Sequence, residues 1–168
     1  WGESILMARR LVDAGVRLVT ISWMYIQKNG NVSNVWDNHG GIDGKNGYEM
    51  LKADFCLPSL DRGFHALMED LGGNGQLDET LVAMFGEFGR TPKINAKAGR
   101  DHWAPVNCAW LAGGGMNVGQ VIGSTDKTGG HAADRPVDFR DILATIYHNL
   151  GINLTELIRD QTERPVPI

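Results

Sequence analysis

Asp37 and His39 in WDNHG, Glu87 and Arg90 in GEFGRTP, and His102 in GRDHW set the chemical question this chain poses. Carboxylates and imidazoles are the side chains suited to holding a divalent cation. A held cation lowers the pKa of water or of a nucleophile and clamps the leaving oxygen of an ester. Asp37 and His39 stand two apart, so an extended backbone points both the same way. Glu87 follows the apolar run TLVAMF, where a carboxylate is costly to desolvate without a cation, and an internal ion pair with Arg90 is the other solution open to it. His102 lies between Asp101 and Trp103, with a carboxylate at hand to orient its ring. Arg90, if not spent on Glu87, offers a planar fork that matches phosphate or sulfate.

These residues need elements to hold them. From Leu57 the apolar residues Leu57, Leu60, Phe64, Leu67, Met68 and Leu71 make one helical stripe, with Pro58 in its first turn and Gly72, Gly73 and Gly75 at its end. Thr80 to Phe85 then predicts a buried strand that delivers GEFGRTP at its carboxyl end, where ligands bind in open parallel sheets. Upstream, Glu3 to Ala14 has helical spacing with Gly15 as its stop, and Val16 to Trp23, VRLVTISW, predicts a strand covered on both faces. Met24 to Tyr48 is a long polar loop, of the length that function usually claims, and it carries WDNHG. Downstream, Val106 to Leu111 predicts a third strand and Gln120 to Ile122 a short fourth. Asp138 caps a last helix with the stripe Phe139, Ile142, Leu143, Ile146, Tyr147 and Leu150, stopped by Gly151. The tail from Asn153 is peripheral, with Pro165 and Pro167 opposing a regular ending. Helices alternating with apolar strands define an α/β class.

Composition removes several functions. The 168 residues are 42% hydrophobic and 21% charged with a net charge of −4, which fits one globular domain or a large part of one and gives no basic stripe for nucleic acid. No apolar run approaches the roughly 20 residues that a membrane helix needs. Cys56 and Cys108 form no CxxC pair and read as buried small hydrophobes. The run Gly113 to Gly115 lacks the spacing of a dinucleotide loop. His65 and His148 read as solvated helix histidines, and His131, in the loop GGHAADRP, ranks below Asp37, His39, Glu87 and His102 as a candidate for the site. The chain opens at Trp1 almost directly on a helix, which reads as a piece of a longer polypeptide.

LDRGFHALMEDLGGNGQLDETLVAMFGEFG resembles the stretch in sulfatases and other alkaline-phosphatase-superfamily enzymes where a helix leads through a strand to a metal-binding acid. GRDHWAPVNCAWLAGGG is similar to the element that places a ligand histidine ahead of a strand, and RPVDFRDILATIYHNLGI to the superfamily's C-terminal helix. ARRLVDAGVRLVTI, WDNHG, GEFGRTP and GRDHW together resemble one sulfatase-like branch, domain of unknown function fifteen-oh-one. The resemblance implies the C-terminal part of a three-layer α/β/α sandwich of the alkaline phosphatase type, with its N-terminal portion, including the nucleophile, outside residues 1–168, and export from the cytoplasm. It implies metal ligands at Glu87 and His102, joined by Asp37 and His39, for a divalent ion such as Zn, Ca or Mn, with Glu87 and Arg90 serving catalysis. The expected activity is hydrolysis of a small-molecule or glycan sulfate or phosphate ester, incomplete in this segment. Phe88 stands where the superfamily has a further ligand, and this departure favours an alternative, a degenerate exported binding or scaffolding domain.

Overall fold

The computed structural model describes residues 1–168 and is mixed α/β, with helices beside five separate two-stranded antiparallel pairs. Helix α1 (Gly2–Asp13) ends as its sequence predicts: Gly15 at φ 89° turns the chain so that the Val16 N–H donates to Leu11 O at 3.0 Å. It packs on α3 (Leu57–Gly73), where Gly63 leaves room for Ile5 and Arg9 reaches Asp70 at 2.5 Å while also pairing with Asp13. Pro58 sits in the first turn of α3, its missing N–H costing nothing there.

The long loop of the sequence reading has structure of its own. It holds the hairpin β1 (Met24–Ile26) and β2 (Val32–Asn34) and a 3₁₀ turn at Ile42–Gly44, and it runs into α2 (Gly47–Lys52), opened by a reciprocal Asn46–Glu49 capping box. Val35, inside it, is fully buried, as are Met50 and Cys56 just beyond it.

Strand β3 (Leu81–Phe85) forms where the apolar run predicts it, but it is not buried, with Met84 and Phe85 exposed, and it pairs antiparallel with β6 (Ala109–Gly113), Ala83 opposite Leu111, so that no parallel ladder forms. β4 (Gly89–Arg90) pairs with β5 (His102–Trp103), and β7 (Ser124–Thr125) with β8 (Ala132–Asp134), in place of a strand at Gln120–Ile122. Helix α4 (Phe139–Asn149) has Asp138 as its cap, accepting from the Arg140 N–H at 2.9 Å. The tail closes as a hairpin of β9 (Leu157–Arg159) and β10 (Pro165–Pro167), so the two prolines sit in a strand after all. A two-stranded pair is all edge, and an edge tolerates residues without an N–H to donate.

Two expectations need correction. Val16–Trp23 runs without a ladder partner, and Val16, Leu18 and Ile21 are exposed instead of covered on both faces. Cys108 is exposed and only Cys56 is buried. Both have one cause: apolar composition specifies that a strand wants neighbours, and no strand of residues 1–168 covers these faces. Consistent with that, the surface is 11735 Å², against about 8,200 Å² for a monomer of this mass.

Candidate metal centre

The ribbon of β4 and β5 builds one wall of the site. Arg90 and His102 are direct cross-strand partners, so their side chains share a face of the ribbon, as opposed residues of an antiparallel pair do. Both reach the same atom. His102 Nε2 lies 2.7 Å from Asp37 Oδ1, and Arg90 Nη2 donates to the same oxygen at 2.9 Å. Arg90 also donates to Trp36 O at 2.7 Å and to Arg100 O at 3.4 Å, so its guanidinium ties the WDNHG loop to the ribbon instead of facing solvent as an open fork.

The WDNHG loop is the second wall. A Trp1–Trp23 stack at 4.2 Å and a Trp23–Trp36 contact at 6.1 Å back it on one side. It presents His39, whose Nε2 lies 3.0 Å from His102 Nε2 and 3.1 Å from Asp37 Oδ1. Its other nitrogen, Nδ1, is 2.8 Å from Asp101 Oδ1. The bond from His39, followed by one from Asn95, holds the Asp101 carboxyl below the usual carboxylate range, so Asp101 is an acceptor and His39 Nδ1 carries the hydrogen. His39 Nε2 faces the Asp37 carboxylate across 3.1 Å. The three potential ligand atoms thus stand in a triangle of 2.7 to 3.1 Å edges.

The third wall is the loop from Thr91 to Asp101. Asn95 organises it: its Nδ2 donates to His39 O and Asp101 Oδ1, and its Oδ1 accepts from the Lys97 and Gly99 N–H groups. Arg100 donates to Thr91 O and Pro92 O and closes the loop's base. Asn95 and Arg100 were not singled out from sequence, and Asp101 was assigned to the wrong partner: it orients His39 across the site, not its chain neighbour His102. An Asn four residues before a Gly was the available signal for so tight a loop.

The structure thus brings Asp37, His39 and His102 together and adds Arg90 behind them, whereas Glu87 stands exposed outside the cluster, with neither Arg90 nor a histidine as its partner. Arg90 pairs with Asp37 instead. Phe88 lies against the His102 ring at 4.2 Å and walls one side of it. His131 is held away by its own hairpin: it contacts Trp103 edge-on at 6.0 Å, and Trp103 donates to Gly130 O at 2.7 Å.

Burial pulls the Asp37 carboxyl up, but the bonds from His102 and Arg90 and the charges of Arg90 and His39 outweigh it and hold the group at about 2. A folded value below the ordinary 3.8 means that the stability Asp37 contributes is complete above that pH and is lost as pH falls toward about 2. Denaturation midpoints taken with metal chelated should therefore fall across this window more steeply for the wild type than for Asp37→Asn. Parallel curves would show that the carboxylate's partners contribute nothing to folding.

Arg90→Lys is expected to lower stability by about 1–3 kcal/mol, because one ammonium cannot span Trp36 O, Asp37 and Arg100 O together. Chemical denaturation measures it, and an unchanged midpoint would show that the three contacts are not holding the loop.

The chain belongs to the family described as "Protein of unknown function (DUF1501)", whose model matches residues 1–168. Neither a curated protein nor a solved structure matches it. No helix is long and apolar enough to cross a membrane.

Proposed function

We propose that Asp37, His39 and His102 hold one divalent cation and that the protein is a metal-dependent hydrolase of sulfate or phosphate esters. The observation that carries this is the convergence of one carboxylate oxygen and two imidazole nitrogens at 2.7, 3.0 and 3.1 Å. Ligands bound at about 2.0–2.2 Å around zinc sit roughly 3.3 Å apart, so the triangle needs to open by only a few tenths of an ångström. Bound there, the cation would supply Lewis acidity toward an ester oxygen and a lowered pKa for water. Asp101 fixes His39 in the tautomer that leaves Nε2 free, and Arg90 holds Asp37 in place. All three donors are part-exposed, which leaves an open side for substrate.

The finer architecture belongs to this proposal. The exposed Val16–Trp23 stretch and the outer faces of β3 and β6 are read as portions of a three-layer α/β/α sandwich of the alkaline phosphatase type, completed by polypeptide that also brings the nucleophile. Residues 1–168 are its C-terminal part, and the whole is exported.

A second reading, a domain that binds without turnover, is favoured by Phe88 against His102 and by Glu87 lying outside the cluster. Metal analysis and ester turnover on the full-length protein separate the two. The hydrolase reading expects one ion per chain and turnover of a nitrophenyl sulfate or phosphate, both lost in His102→Ala and the ion kept in Glu87→Gln. An ion without turnover favours the second reading; neither ion nor turnover ends the first.

A further inference from the structure

Asn95 makes more bonds than its own loop needs. Its Oδ1 accepts from the Lys97 N–H at 2.9 Å and the Gly99 N–H at 3.0 Å, which closes the turn in which it sits. Its Nδ2 makes no bond to that turn. It donates to His39 O at 3.2 Å, 56 positions away, and to Asp101 Oδ1 at 3.1 Å. Backbone N–H groups only donate, whereas a carbonyl and an ionised carboxylate only accept, so these four partners fix which end of the amide is which.

The donor end of that amide bears on one residue of the site. His39 is gripped at its backbone by Asn95 and at its ring by Asp101, whose Oδ1 lies 2.8 Å from Nδ1. Asp101 needs an anchor of its own. Thr91 holds its main chain, with Oγ1 accepting from the Asp101 N–H at 3.1 Å and the Thr91 N–H donating to Asp101 O at 2.9 Å. The Asp101 side chain, 55% exposed, is not held by packing. An exposed carboxylate left to itself changes rotamer within nanoseconds and would orient an imidazole only part of the time. Asn95 bonds the same oxygen that faces His39 and removes that freedom.

We infer that Asn95 is a positioning residue of the metal centre, acting through Asp101 and through the His39 main chain to aim His39 Nε2 at the cation. The inference rests on the reading of Asp37, His39 and His102 as a metal site. Asn95 itself is no ligand, since its oxygen is taken by two N–H groups and its nitrogen donates. What it contributes is preorganisation: His39 meets the ion without first losing the freedom of its ring. A residue concerned only with its own turn would need the acceptor end of the amide, and aspartate supplies that end equally well. Aspartate lacks the donor end.

The test compares Asn95→Asp with the wild type in the full-length protein by two measurements. One is competition for zinc against a chromophoric chelator, and the other is the His39 Nδ1–H signal in nuclear magnetic resonance of the zinc-loaded protein with isotope-labelled histidine. The variant keeps the acceptor for Lys97 and Gly99 and sets an oxygen against Asp101 Oδ1 where a donor stood. Its added negative charge by itself favours a cation, so weaker binding cannot be a charge effect. Zinc affinity is expected to fall about tenfold, the lower end for residues that orient ligands, and the Nδ1–H signal to exchange faster with water. Asn95→Ser adds no charge and has a hydroxyl too short to span the same partners. It should weaken zinc in the same direction, and it carries the test if the aspartate variant does not fold. Wild-type affinity, or an unchanged Nδ1–H signal, overturns the positioning role while the zinc site stands. Wild-type protein that takes up no zinc overturns the site reading and the inference with it.

Discussion

Asp37→Asn is expected to weaken zinc binding by more than 100-fold, beyond the roughly 10–100-fold that changes in ligand-orienting residues cost. Its Oδ1 is the one oxygen on which His39, His102 and Arg90 all converge, within 2.7 to 3.1 Å. Asparagine keeps the shape and removes the charge. Two imidazoles then remain, with Arg90's positive charge beside them and no anion between, so electrostatics oppose the ion where they previously favoured it. Competition against a chromophoric chelator reads the affinity directly. His65→Ala, on the solvent side of α3, is the control and should change nothing. Zinc held by Asp37→Asn within about threefold of the wild type would mean that the triangle is a hydrogen-bonded cluster and no ion site.

How much of this was legible in the sequence differs between elements for identifiable reasons. Periodicity marked α1, α3 and α4 because a helix buries a stripe that its own residues define, and capping and stop residues at Asp138, Gly15 and Gly151 mark ends locally. The apolar runs Val16–Trp23 and Thr80–Phe85 announced a need for cover but not its source, and so only the second found a partner, in antiparallel β6. Pairing is a long-range property that no local pattern encodes. The same distinction runs through the site. Asp37, His39 and His102 were readable because their types and motifs signal metal chemistry, whereas Glu87 drew attention by following an apolar strand. The structure shows that the delivering elements are different ones: the ribbon β4–β5 and two loops joined by Arg90 and Asn95. Long-range ties of that kind, such as Asp101 to His39 across 62 positions, leave no spacing to read.

Gly99→Ala should be among the most damaging changes made without touching a polar atom. A Cβ there would sit 2.4 Å from the His39 carbonyl carbon, 2.6 Å from its oxygen and 2.7 Å from Asn38 O. All three are backbone, so no rotamer change relieves the contact. Gly47 answers from the other side, with a Cβ that would lie 2.4 Å from Ala98 O, and Gly40 would meet Lys97 O at 2.7 Å. Glycines thus let the loop carrying His39 and the loop carrying Asp101 touch main chain to main chain. The seam is fastened by Arg100 N donating to Asn38 O at 3.0 Å and Gly47 N donating to Lys97 O at 2.8 Å. A methyl group must part the loops or strain both, at a cost of about 3 kcal/mol or more, the upper end for overpacking. Parting them also lengthens the His39–Asp101 contact, so zinc affinity should fall together with the unfolding midpoint. Gly72→Ala supplies the comparison, since it adds the same methyl to open space near the end of α3, where alanine is the better helix former. If Gly99→Ala and Gly72→Ala behave alike in both measurements, the two loops are not in backbone contact, and the geometry that aligns the three donor atoms must come from the side chains of Arg90, Asn95 and Asp101.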